Sequence, residues 1–226
     1  MEFCHRPIAS RSKFAAVANN RCWRESGHDG RCDEYPYLRH LQGVAPKVAQ
    51  KIRRDATNTT GAAWDSDDAG PNRILRWAVM LEDKELLAYG LDLGGVSDVI
   101  RRKLRQRAAS YEDCMHVAQA LTHATYRMGG APEPPEDVRG YLEGLFGAIE
   151  PASAHCIICL EPLDFGLFAL AKRGAAELDT AHLDPRSHSA TNVGFAHHRC
   201  NVAQGDMSVQ EFYDWTEAIL RRAGRL

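Results

Sequence analysis

The sequence of 226 residues lacks any apolar run close to the ~20 residues that a helix needs to cross a bilayer. Its start, MEFCHRPIAS, also lacks the apolar segment of a secretory signal. We therefore expect a cytoplasmic protein with no membrane partner. The seven cysteines are an odd number in a chain without an export signal. A disulfide framework is therefore a poor explanation for them, and metal binding is a better one.

The sequence has no large excess of charge of either sign, with 28 Lys+Arg against 30 Asp+Glu, and 44% of its residues are hydrophobic. This balance excludes extended disorder and is typical of a soluble globular protein. Positive charge is nevertheless concentrated in one run, which comprises Arg101, Arg102, Lys103, Arg105 and Arg107. A solvated helix face and a patch that neutralises DNA phosphates both explain such a run.

The spacing of apolar residues predicts a mainly helical N-terminal region over residues 1–128. Steps of three and four predict helices over 46–56, 71–81, 84–89, 97–108 and 110–128. The segment MGGAPEPP at 128–135 stops any helix, so we place a linker with a bridging helix (136–148) at 129–152. Residues 84–107 have the outline of a helix-turn-helix, although a plain pair of packed helices explains them equally simply.

The C-terminal part, residues 153–226, has a different pattern. Apolar segments at 167–171 and 175–183 surround Lys172, Arg173 and Gly174, which predicts two strands joined by a turn. A helix is predicted over 208–222, where Ser208 and Glu211 have the spacing of a capping box. The expected fold class is therefore α+β.

Two matched pairs of metal-binding residues flank the predicted strand. Cys156 and Cys159 form a C-x-x-C pair, and His197 and Cys200 repeat the same gap. Three thiolates and one imidazole suit a structural zinc site. The alternative is that the first two cysteines are small buried apolar residues, but the second matched pair argues against it.

Between these pairs lies an ordered set of polar residues. LDTAHLDP (178–185) is followed by NVGFA (192–196) and HHRCN (197–201). In this order and spacing the segment resembles the HNH, or ββα-metal, endonuclease family in its zinc-bearing form. The resemblance covers about residues 153–207 and implies a C-terminal nuclease domain. It implies that His182 is the general base, that Asn192 fixes the geometry of the base, and that Asn201 is a ligand of a catalytic Mg²⁺ or Mn²⁺.

The sequence departs from the family pattern at the residue before the base. Many members have a metal-binding Asp there, and this chain has Ala181. Asp179 is our expected substitute as second metal ligand, and Asp184 is the rival. Asp184 shares a strand face with His182 only if the strand continues that far.

The N-terminal segment contains enough ligands for a second zinc site, namely Cys22, His28 and Cys32 together with Cys4 or His5. The alternative is a set of scattered free thiols.

Together these features predict a metal-dependent endonuclease that acts on double-stranded DNA. The nuclease segment is too small to select a sequence well, so the N-terminal region is expected to supply DNA recognition, with Arg101, Arg102, Lys103 and Arg105 as DNA contacts. This architecture suits a type II-like restriction endonuclease of a prokaryotic cell that acts as a homodimer. The alternatives are a non-catalytic zinc-finger DNA-binding protein and a homing or phage nicking nuclease with the same active site.

Overall fold

The computed structural model describes residues 2–8, 20–59, 74–172 and 175–226. The described chain has an α+β fold that is mostly helical, as predicted. The helices are α1 Arg39–Val44, α2 Pro46–Thr57, α3 Asp83–Ala88, α4 Asp98–Gln106, α5 Tyr111–Tyr126, α6 Glu136–Phe146, α7 His198–Gln204 and α8 Val209–Arg222. Short 3₁₀ turns lie at Pro36–Leu38, Ala78–Met80 and Phe165–Phe168. No described helix has the length and apolar character that a membrane span requires.

Helix α5 is the centre of the packing. Ser110 begins it by accepting a hydrogen bond from the backbone N–H of Asp113 (3.0 Å), which satisfies one of the unpaired N–H groups of the first turn. The first turns of α5 bury Met115 in one apolar cluster, and Leu121 lies further along in a second. Helices α2 and α6 and strand β4 (Val193–His197) pack against α5. One helix therefore supports both halves of the molecule.

The second apolar cluster extends across the boundary predicted near residue 128. It contains Tyr37 and Leu121 from the N-terminal region, Leu142 from α6, and Ile158 and Phe195 from the C-terminal part. The nuclease-like segment therefore shares its core with the helical region. The exact domain boundaries stay a prediction.

The helix predicted over 71–81 is wrong for the described residues. Residues 71–73 lie outside the described part, and 74–81 contain a single 3₁₀ turn. The reason lies in the backbone hydrogen bonds. Thr59 donates to the carbonyl of Ile74, and Arg76 donates to that of Thr57, both at 2.9 Å. Residues 74–76 therefore pair with the segment after α2 instead of closing helical turns.

The predicted strand pair is also only partly right. Strand β1 (Ala171–Lys172) pairs with β2 (Ala175–Ala176), whereas residues 165–168 form a 3₁₀ turn; the predicted turn residues Arg173 and Gly174 lie outside the described part. The longer antiparallel pair joins β3 (Leu178–His182) to β4, with Leu178 opposite His197 and His182 opposite Val193. The main partner of β3 thus follows it in sequence.

Gly194 permits a close contact between β4 and the C-x-x-C turn. A Cβ at this position would overlap Cγ2 of Ile157, an atom close to the main chain that cannot move away freely. The Gly194→Ala variant should therefore lower the free energy of unfolding by about 1–3 kcal/mol in urea titrations, as overpacking typically does.

The matched control is Gly140→Ala in α6, where no atom lies within 4 Å of the added Cβ. This change should raise stability by about 0.5–1 kcal/mol, because glycine is a poor helix former. Equal stability of the Gly194→Ala variant and the wild type would contradict the proposed close contact.

Candidate active site and metal centres

His182, Asp179 and Asn201 lie around one depression where β3 meets α7. Two adjoining cavities, each of about 230 Å³, share four lining residues, which are Arg76, Thr180, His182 and Asn201. We call this space the His182 cavity. Strand β4 leads directly into α7, so the start of β3 lies beside the first turn of that helix, and the end of β3 lies beside its last residue, Gln204, which donates to the carbonyl of His182 at 2.9 Å. Residues that are distant in sequence thus converge on one site.

The side chain of His182 is held on one side by a second histidine. Its Nε2 lies 3.0 Å from Nδ1 of His188. Burial, together with the positive charges of Arg76 and Arg107, lowers the pKa of His182 to about 4. The imidazole is therefore neutral at neutral pH, which is the form that can accept a proton.

Asp179 and Asn201 are in direct contact. The amide Nδ2 of Asn201 donates to Oδ2 of Asp179 at 3.0 Å, and Nδ1 of His198 lies 2.9 Å from the same oxygen. Asp179 also lines the His182 cavity. Asp184 does not line the His182 cavity. It lies in the loop after β3, where its Oδ1 accepts a hydrogen bond from the backbone N–H of Arg186.

The side-chain hydrogen bonds of Asn192 go to the loop that follows His182, and none of those described goes to the imidazole of His182. Its Oδ1 accepts from the N–H of Asp184 (2.9 Å), and its Nδ2 donates to the carbonyls of Asp184 (2.8 Å) and Ser187 (2.6 Å). Asn192 therefore fixes the turn between β3 and β4, and through that turn the position of the end of β3.

Asp55 reaches the site from α2, a contact that the sequence analysis missed. Its Oδ2 accepts a hydrogen bond from Thr180 (3.0 Å), and Lys51 (2.7 Å) and Arg54 (2.6 Å) form ion pairs with it. Burial alone would raise the pKa of Asp55, but these two cations outweigh burial and lower it. The i,i+4 spacing of Lys51 and Asp55 predicts an ion pair, whereas no local signal links Asp55 to Thr180.

Arg76 is the second missed residue. Its side chain is 3% exposed, its NH1 group donates to the carbonyl of Arg107 at 2.9 Å, and its Nε has no hydrogen-bond partner among the described residues. Burial lowers its pKa to about 10, which leaves the guanidinium charged at neutral pH. Among the described residues, no carboxylate forms an ion pair with Arg76. Burying an unpaired cation is costly, so the position of Arg76 beside His182 favours an anionic ligand.

The first predicted zinc-binding group is assembled in space. The ligand atoms of Cys156, Cys159, His197 and Cys200 all lie within 4.8 Å of one another. The two cysteines of the first pair lie in a turn, His197 ends β4, and Cys200 is in the first turn of α7. Burial alone would raise the pKa of Cys156, but backbone N–H groups directed at its sulfur outweigh burial and lower it. This favours the thiolate, the form that binds zinc, at Cys156. Burial instead raises the pKa of Cys159 and that of Cys200.

The second predicted group is assembled as well. The ligand atoms of Cys4, Cys22, His28 and Cys32 lie within 4.8 Å of one another, and Sγ of Cys22 is 3.3 Å from Nε2 of His28. Antiparallel bridges between Phe3 and Glu25 and between Pro7 and Arg21 bring the first residues of the chain to this site. Both groups have the three sulfurs and one nitrogen that could hold zinc in tetrahedral geometry.

The basic run on α4 divides into two faces. Arg101 and Arg105 are turned toward the protein: both pair with Asp83, and Arg105 also donates to the carbonyls of Val79 and Leu81. Arg102 and Lys103 are exposed and line a groove between α4 and the loop at Arg186. The groove and the His182 cavity share two lining residues, Arg107 and Pro185, so the two spaces are neighbours.

The connection between α3 and α4 spans residues 89–97. This is longer than the three or four residues of a helix-turn-helix turn. The plain pair of packed helices is therefore the better description of residues 84–107.

Comparisons with known proteins identify the family of this chain. The model of the DraIII family matches residues 34–200, which is about three quarters of the chain. A solved structure described as a crystal structure of a type II restriction endonuclease is 39% identical, with a TM-score of 0.86 and coverage of 100% of both chains. No curated protein sequence matches this chain. On the extent of the family match, the chain belongs to the DraIII family of restriction endonucleases.

Proposed function

We propose that this protein is an HNH-type, metal-dependent endonuclease that hydrolyses phosphodiester bonds in double-stranded DNA, as a type II restriction endonuclease. The observation that carries the proposal is the convergence of His182, Asp179 and Asn201 on one cavity, beside a Cys₃His group. Membership of a restriction endonuclease family supports the choice of DNA as substrate.

His182 is the proposed general base. Hydrolysis requires that a water molecule lose a proton as its oxygen attacks the phosphorus atom, and a neutral imidazole can take that proton. The low pKa of His182 keeps it neutral but also makes it a weak base in the absence of DNA. A bound phosphate would offset the charges of Arg76 and Arg107, and the basicity of His182 would rise as substrate binds.

Asp179 and Asn201 are the proposed ligands of a catalytic Mg²⁺ or Mn²⁺. Oδ1 of Asp179 and Oδ1 of Asn201 have no hydrogen-bond partner among the described residues. A carboxylate oxygen and an amide oxygen suit a hard divalent cation. When bound, such a cation would neutralise the charge that develops on the phosphate and on the leaving oxygen.

Arg76 is the proposed contact for the phosphate itself. Its guanidinium is buried at the cavity and has an unpaired Nε. Hydrogen bonds from a preorganised guanidinium strengthen as negative charge builds up on the equatorial oxygens. The exposed Arg102 and Lys103 would guide the flanking backbone along the groove that neighbours the His182 cavity.

We further propose that zinc in each Cys₃His group is structural, because closed coordination leaves no position for substrate. Residues 1–128 would supply DNA recognition, residues 129–152 would link the two parts, and residues 153–226 would form the nuclease domain. Cleavage of both strands would require a homodimer, and the setting would be the cytoplasm of a prokaryotic cell.

Metal analysis tests the two zinc sites. The purified protein should retain about two zinc ions per chain after dialysis, and Cys159→Ala should retain about one, because only the C-terminal group loses a ligand. Cys114→Ala is the control, since Cys114 is a buried thiol outside both groups and its removal should leave zinc unchanged. A dialysed wild-type protein without zinc would disprove both sites.

Cleavage assays on plasmid DNA with Mg²⁺ or Mn²⁺ test the proposed function. His182→Ala should reduce cleavage by ~10² to 10⁴-fold, since a general base contributes to the barrier, while DNA affinity and zinc content stay close to those of the wild type. Asp179→Asn should lose metal-dependent activity as well.

The matched control is Asp184→Asn, which makes the same Asp-to-Asn change at a residue that does not line the cavity. Its cleavage activity should stay within a few-fold of that of the wild type. Full cleavage by the His182→Ala protein would rule out this active site. DNA binding without any cleavage by the wild type would instead favour the non-catalytic zinc-finger alternative.

Binding measurements at several salt concentrations test the groove. Replacing Arg102 and Lys103 together by alanine should weaken DNA binding and reduce the slope of log K against log salt by about one per lost phosphate contact. Arg221 and Arg222 on α8 form a matched basic pair that does not line the groove, and their replacement should leave the slope unchanged. Equal slopes for the two double variants would contradict this DNA path.

A further inference from the structure

His188 is a buried histidine that links the proposed base to a helix of the N-terminal region. Its side chain is 5% exposed. Nδ1 lies 3.0 Å from Nε2 of His182, and Nε2 lies 2.8 Å from the backbone carbonyl oxygen of Ala56 in α2. Both ring nitrogens of His188 are therefore within hydrogen-bond distance of a partner.

The chemistry of these partners fixes the proton on His188. A carbonyl oxygen can only accept a hydrogen bond, so Nε2 of His188 carries a hydrogen. Burial, together with the positive charge of Arg76, lowers the pKa of His188 to about 2, so the ring is neutral and carries one hydrogen. Nδ1 of His188 consequently has a free lone pair and is an acceptor.

The tautomer of His182 follows from this assignment. Because Nδ1 of His188 accepts, Nε2 of His182 must donate, and a neutral His182 then has no hydrogen on its own Nδ1. That Nδ1 has no hydrogen-bond partner among the described residues, and the ring lines the His182 cavity. The unprotonated nitrogen is therefore the one left for the attacking water.

We propose that His188 is a positioning residue, which holds His182 in the Nε2–H tautomer and leaves Nδ1 as the proton acceptor. This inference rests on the proposed function, in which His182 is the base. In the step itself the water proton moves to Nδ1 of His182, and the Nε2–H of that ring continues to donate to His188. No proton passes through His188.

The anchor of this arrangement is the C-terminal end of α2. Ala56 is the penultimate residue of α2, whose last carbonyls have no partner within the helix and lie at the negative end of its dipole. Such a carbonyl is a good acceptor for the Nε2–H of His188. The adjacent Asp55 bonds to Thr180, two residues before the base. The end of α2 thus holds both strand β3 and the ring that orients His182.

Kinetics of two variants of similar size test the role of His188. His188→Leu removes the acceptor and should lower kcat by about 10- to 100-fold, as loss of an orienting partner typically does, with little change in KM, DNA affinity or zinc content. His188→Asn places Oδ1 near the former Nδ1 and should recover most of the rate. Equal rates for the two variants, or wild-type activity of His188→Leu, would overturn the inference.

The pH profile adds a readout that a purely structural role would not move. The charged or titratable groups that act on the two rings are Arg76, Arg107 and Asp184. These three residues are unchanged in both variants. In His188→Asn the acidic limb of the plot of kcat against pH should therefore stay at the same pH as in the wild type. In His188→Leu the pH of this acidic limb should shift, because the orientation and hydration of His182 are no longer fixed. An unchanged profile in His188→Leu would contradict the positioning role.

Nitrogen chemical shifts of labelled histidine measure the tautomer directly in the wild-type protein, even if a variant fails to fold. We expect a protonated Nε2 and an unprotonated Nδ1 for His182. Protonated Nδ1 would overturn the inference while leaving the base assignment intact. By contrast, full activity of His182→Ala would reject the proposed function, so the two failures are distinguishable.

Discussion

The pairing of β3 with β4 is the interaction on which the candidate site depends. This antiparallel pair sets His182 opposite Val193 at one end and Leu178 opposite His197 at the other. The base candidate and a zinc-ligand candidate are therefore fixed by one register, and a slip of one residue would turn both to the wrong face. A two-stranded ribbon is at best marginally stable alone. Packing on α5 supplies part of what the short strands lack, and zinc bound to the Cys₃His group, as proposed, would add a cross-link.

Electrostatics are the second constraint. Among the described residues, the cations Lys51, Arg54, Arg76 and Arg107 and the acids Asp55 and Asp179 line the space around His182. Burial, together with the positive charges of Arg76 and Arg107, lowers the pKa of His182. A site lined by several cations suits a protein that receives a polyanion.

The sequence was informative wherever the chemistry is local. The short spacings within Cys156/Cys159, within His197/Cys200 and within Cys22/His28/Cys32 indicated two metal-binding groups, whose candidate ligands the structure brings together. The family resemblance indicated Asn201 and, as a substitute, Asp179, which are in contact. It was less informative about the basic run. Arg101 and Arg105 lie four residues apart on one helix face and pair with Asp83, a residue distant in sequence. Nothing in the run itself separates these two arginines from Arg102 and Lys103.

Long-range contacts were beyond sequence reasoning for the same reason. Asp55 and Arg76 reach the site only because α2 and residues 74–76 pack beside β3. The predicted helix at 71–81 failed at this point, since residues 74–76 use their backbone groups to pair with residues 57–59. A pattern of apolar residues indicates which side chains are buried. It does not indicate which segment of the chain pairs with the backbone groups of those residues.

The position of α2 has a consequence for specificity. A restriction endonuclease must keep its chemistry inactive on the wrong sequence, and one way is to let recognition control the geometry of the catalytic groups. Here a single helix end contacts both Thr180 and His188, and the same helix belongs to the region proposed to read DNA. A movement of α2 that breaks the hydrogen bond between Nε2 of His188 and the carbonyl of Ala56 would release the imidazole of His188, which orients His182. The proposed base would then lose its fixed tautomer without any change in the residues that we propose as phosphate contacts.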